Sequence, residues 1–146
     1  MFLITFEQQF KPFNRMKDNF EKVKNFVLDL GYTISKTVEE DQIIVINDED
    51  SGIANCVIGC ADPILIMEQF LMELNSDSKE IFKSLLMKNR DIIHGAFVLD
   101  ETGKKVIFRD TLQISNLNKN EIEGSLNSLS LLLSEYSDEL IRFSKK

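Results

Sequence analysis

Few residues in this 146-residue chain could do chemistry, and their spacing limits what that chemistry would be. His94 is the sole histidine, so a multi-histidine metal site is impossible, and any acid–base role would fall to it with a carboxylate such as Asp100 or Asp110. No nucleophile lies near it in the hairpin that its surroundings predict, so a histidine at a strand end is the plainer expectation. Cys56 and Cys60 form a C-x3-C pair, unlike the two-residue spacing of zinc knuckles and redox motifs. On a strand they would share one face about 13 Å apart, too far for a disulfide, and are expected to be buried core thiols. Asp48-x-Asp50-x-Gly52 starts like a calcium loop, but Gly59 stands at position twelve where a bidentate Glu belongs, and no helix leads into it. Asp100-Glu101-Thr102-Gly103-Lys104-Lys105 lacks the first glycine of a phosphate loop and leads into a strand instead of a helix. Both segments read as turns. Arg109 and Asp110, beside Phe108, would point to opposite faces of a strand, where either could tie the hairpin to a helix as a structural contact. No triad, metal set or phosphate loop can be assembled, so no catalytic residue, cofactor or metal is expected.

The elements that would position these residues follow from periodicity. Phe13, Met16, Phe20, Val23, Val27 and Leu30 repeat every three or four residues, which predicts a helix over 13–30 ended by Gly31. Strands are predicted near 32–38, 42–47, 53–60 and 63–73, with a tight turn at 47–52. A short helix is expected at about 77–89, with Asp77 and Glu80 spaced as a capping box. Residues 94–99 and 104–113 read as a hairpin joined through Gly103. Asn118 and Glu121 open a last helix from 119 to about 144, near 40 Å long at 1.5 Å per residue, with Leu117 placed to staple onto Ile122. Connections this short do not allow parallel crossovers, so the class is α+β with one antiparallel sheet.

Composition supports one globular domain: 43% of residues are hydrophobic and 28% charged, ordinary values for a chain of one-domain length. Seventeen Lys+Arg against 24 Asp+Glu leave a net charge of −7, and the longest cationic runs are pairs, which argues against nucleic-acid binding. The longest mostly apolar stretch, 63–72, contains Glu68 and is about half the length of a membrane span, and residues 1–10 carry no positive charge as an export signal would. With two unpaired thiols, a cytoplasmic protein away from membranes is expected. The strands Ile43-Ile44-Val45-Ile46 and Ile64-Leu65-Ile66-Met67 fail to alternate, so both of their faces ask for cover. Two long helices would cover one face; the other predicts a homodimer or a protein partner, with Met67, Phe70 and Met72 as a candidate adaptable binding face beside the default reading of these residues as core.

The order of elements, together with Leu85-Leu86-x-x-Asn89, Gly95-Ala96-Phe97-Val98-Leu99-Asp100, Val106-Ile107-Phe108-Arg109 and the leucine-rich last helix, resembles the type III secretion chaperone-like proteins. These include the class I effector chaperones and the YbjN-like family. The resemblance implies an α-β-β-β-α-β-β-α fold, one antiparallel sheet flanked by three helices, here with residues 1–12 as an N-terminal extension. It also implies a homodimer whose contact is built by the middle helix and the neighbouring hairpin strand, which places Phe82, Leu85 and Leu86 at or near the twofold axis. The function it implies is a non-enzymatic, chaperone-like module that holds an apolar segment of a partner protein without nucleotide. A YbjN-like regulatory or small-ligand-sensing domain is the alternative.

Overall fold

A computed structural model describes residues 13–146, so the readings for 1–12 lie outside the described residues. Helix α1 (Phe13–Asp29) turns Phe20, Val23 and Val27 inward, and Gly31, at φ 93°, reverses the chain while the Tyr32 N–H bonds back to the Val27 carbonyl. Four strands follow: β1 (Thr33–Val38), β2 (Ile43–Asp48), β3 (Ile53–Ala61) and β4 (Ile64–Glu73). The 47–52 turn contains one turn of 3-10 helix, Glu49–Ser51, closed by Gly52 at φ 78°. Then come α2 (Lys79–Asn89), the hairpin of β5 (Ala96–Leu99) and β6 (Lys105–Gln113), and α3 (Lys119–Ser144). The order has one strand more than the resemblance implies, and that strand is the one that periodicity places at 32–38.

All six strands form one antiparallel sheet in the order β1-β2-β3-β4-β6-β5. Its register explains the unalternating strands. Ile44 and Ile46 pair with Ile58 and Cys56, Ile58 with Met67, and Cys60 with Leu65; these side chains share the face that packs with Phe20, Val23 and Val27 of α1 and Ile122, Leu126 and Leu129 of α3. Ile43, Val45, Ile64 and Ile66 belong to the opposite, outer face.

The helix termini follow local chemistry. Asn118 accepts from the Glu121 N–H at 3.1 Å and the Glu121 carboxylate accepts from the Asn118 N–H, the full capping box that opens α3. At α2 the cap is Ser78, whose hydroxyl accepts from the Ile81 N–H; this corrects the expectation of Asp77 by one residue. Both residue types can cap, and the register of Ile81 and Leu85 against the core selects Ser78.

Candidate functional site: the α2 flank and the outer sheet face

Helix α2 stands at the β5 edge of the sheet and is amphipathic across a narrow stripe. Ile81 and Leu85 enter the protein's own core, Phe82 lies half-buried at its margin, and Leu86 and Met87 project outward with 70% and 65% of their surface exposed. Phe82, Leu85 and Leu86 wall a groove of about 290 Å³ against Phe97, Val98 and Leu99 of β5. On the other flank Phe82, Leu86 and Met87 floor a wider depression of about 1070 Å³ rimmed by Lys79, Lys83, Arg90, Asp77 and Asp91. An apolar floor with a rim of both charge signs is the pattern of a protein contact.

Two polar residues hold α2 in this position. The Asn89 side chain accepts from the Phe97 N–H at 2.7 Å and donates to the Phe97 carbonyl at 3.1 Å, so it occupies the outward backbone groups of the edge strand as a neighbouring strand would. Lys88 donates to the Ser84 hydroxyl at 2.7 Å and pairs with Glu139 of α3 at 2.9 Å. Its ammonium lies over the Tyr136 ring, 5.2 Å from the centroid, and the Tyr136 ring in turn leans on Phe97. A charged residue at the end of a helix carries no sign of a partner 51 positions away; only the motif Leu85-Leu86-x-x-Asn89 hinted that Asn89 matters.

Burial separates the expected contact residues. Leu85 is a core residue, and so are Met67 and Met72, because the β4 register sends both methionines to the helix face; this corrects their placement on an adaptable surface. Phe70 is half exposed on the outer face, paired with Ile107, which in turn pairs with Val98. Phe82 and Leu86 remain at the surface of α2, joined there by Met87.

The residues that opened the sequence analysis have structural places. Arg109 forms an ion pair with Glu68 of the adjacent strand on the outer face, while Asp110, on the helix face, accepts a hydrogen bond from the buried Ser125 hydroxyl of α3. The tie from hairpin to helix is thus Asp110. His94 precedes β5, its backbone N–H and carbonyl both satisfied by the Ser128 hydroxyl of α3, with the ring against Gly124. Cys56 and Cys60 are free and buried; burial pushes both thiols up to about 12, with the Asp62 charge adding to the effect at Cys60. Among the described residues no group of three His, Cys, Asp or Glu side chains could hold a metal ion, and no helix is long and apolar enough to cross a membrane.

The CesT_Tir_1 family matches residues 16–146 of this chain. No curated protein matches it in sequence. The fold is similar to that of YbjN from E. coli, described as a candidate transcription regulator, with a TM-score of 0.63, 14% identity and 82% of this chain and 91% of that one covered. It is also similar to a chain of the HopA1–SchA chaperone–effector complex, with a TM-score of 0.60, 9% identity, and 92% and 100% covered. At these identities the two structures speak for the fold.

Proposed function

Because the chain belongs to the CesT_Tir_1 family of type III secretion chaperone-like proteins, we propose that it is a non-enzymatic, dimeric protein-binding module, chaperone-like, that holds an apolar segment of a partner protein. The observation that carries the reading is the α2 flank. Leu86 and Met87 are exposed side by side on a helix that Asn89 and the Lys88–Glu139 pair hold in one pose. Large apolar side chains displayed on a rigid, charged-rimmed element lose solvent only when a second chain covers them, and burying them is worth about 1.5–3 kcal/mol each. That the same fold occurs in a chaperone–effector complex supports a protein partner.

In this reading the second copy takes the α2 flank, with Phe82 and Leu86 near the twofold axis, and the partner segment takes apolar surface on the sheet and helices. No nucleotide or other cofactor enters the mechanism. Binding is driven by apolar burial, and the −7 charge keeps separate complexes apart in solution. The test is the light-scattering mass of the purified protein and of Leu86→Glu. The expected result is a native mass near twice 16.8 kDa and a variant that falls to the monomer with an unchanged circular dichroism spectrum. A native monomer would overturn the dimer and the role given to Leu86.

A further inference from the structure

The segment between α2 and β5 lies against α3 and is pinned on both sides of one exposed residue. Ile92 packs against the core, while the Ser128 hydroxyl accepts from the His94 N–H at 3.2 Å and donates to the His94 carbonyl at 2.7 Å. The His94 ring lies against Gly124, a residue type that a helix interior otherwise disfavours; an added Cβ there would stand 3.3 Å from Nε2. Ile93, held between these anchors, is 78% exposed, more than any other large apolar side chain among the described residues. Leu131 of α3 is 52% exposed, and the two form the lips of a cleft of about 220 Å³ floored by the more buried Ile92, Leu132 and Tyr136. Asp91 and Glu135 supply its acidic lining and no lysine or arginine joins them. Neither carboxylate is in an ion pair among the described residues.

We propose that this cleft receives one large apolar side chain of the partner protein, of leucine or phenylalanine size, with a lysine or arginine beside it in the partner's sequence. The inference rests on the reading of the chain as a protein-binding module and names part of what the partner segment carries. Size selects a side chain over a free ligand, since pockets that enclose whole small molecules run to roughly 300–1,000 Å³. Rigidity favours it as well: Ile93 already stands in a fixed segment, so covering it orders little that was free. Charge selects the neighbour. Two unpaired carboxylates at the rim attract a cation and repel an acidic flank, which fixes specificity and register more than affinity. The α2 flank is different, because Lys79, Lys83 and Arg90 stand on its rim, so a basic segment is directed to the α3 side. Phe82, Leu86 and Met87 do not line the cleft, and its occupation is read separately from the dimer.

The experiment is a nuclear magnetic resonance titration of the full isotope-labelled chain with two end-blocked tripeptides, one a leucine between two arginines and the other a leucine between two glutamates. The expected result is saturable shifts of the Ile93, His94, Asn127 and Leu131 amides with the arginine peptide, and at least tenfold weaker binding of the glutamate peptide. Leu131→Lys, at an exposed position that leaves the core intact, should weaken the arginine peptide tenfold or more with the rest of the spectrum unchanged. Glu135→Gln should narrow the difference between the two peptides while keeping the apolar contact. Equal binding of both peptides, binding undiminished in Leu131→Lys, or no shift at these amides overturns the proposal. Shifts confined to Leu86 and Met87 overturn the cleft and leave the α2 flank standing, whereas cleft binding by a chain that scatters as a monomer overturns the dimer alone.

Discussion

Cys56 and Cys60 flank Ile58 on the helix side of β3, where the thiol is the only form that the surroundings accept. Their ordinary value of 9.0 applies once the chain unfolds, against about 12 in the fold. Because the folded value is the higher one, the contribution to stability is full below pH 9 and is lost as pH rises from 9 toward 12, at up to about 1.4 kcal/mol per pH unit for each thiol. Denaturant unfolding across that range should therefore show a fall that is shallower in Cys56→Ala/Cys60→Ala than in the native protein. A second residue with little freedom is Gly95, at φ 79°, where an added Cβ would come within 2.4 Å of the Phe108 ring and 2.9 Å of the Arg109 carbonyl. Gly95→Ala combines backbone strain with a clash and is expected to cost about 2 kcal/mol or more, read as a lower denaturation midpoint at unchanged m-value. The thiols could be foreseen from C-x3-C on a strand. The constraint on Gly95 could not, since it comes from a ring that arrives from another strand.

Capping separates the two helices that follow the first four strands. The Asn118 and Glu121 box is a local signal, three residues apart, and was legible for that reason. Asn118→Ala should cost about 1 kcal/mol, measured by thermal unfolding, with Asn118→Gly costing only a few tenths. The pose of α2 rests instead on Asn89 and Lys88, whose partners Phe97 and Glu139 lie on other elements. Replacing Asn89 with Ala leaves the outward N–H and carbonyl of Phe97 without their side-chain partner. Amide exchange at Phe97 is expected to speed up while that at Phe108, inside the sheet, stays slow, with a loss of about 1–2 kcal/mol in stability. Asp110 shows the same division between local and distant information: that it faces away from Arg109 was legible, while the face it takes and its partner Ser125 were not.

For the molecule as a whole, the expected dimer couples stability to concentration. If the α2 flank is covered by a second copy, the melting temperature rises with protein concentration in the native chain and stays constant in Leu86→Glu, which scanning calorimetry at two concentrations would read. The sequence by itself determined the α+β class, the helices and strands to within a residue or two at most of their ends, the capping box and the family resemblance. Those properties come from periodicity, cap chemistry and turn residues, which act over a few positions along the chain. Only the tertiary structure decided which face each residue takes. Met67 and Leu85 look as free as Phe70 and Leu86 until the strand register and the helix angle send the first pair into the core and the second to the surface. Register is a property of pairs of strands, and a shift of one residue would exchange the two faces, so no reading of a single segment could have assigned them.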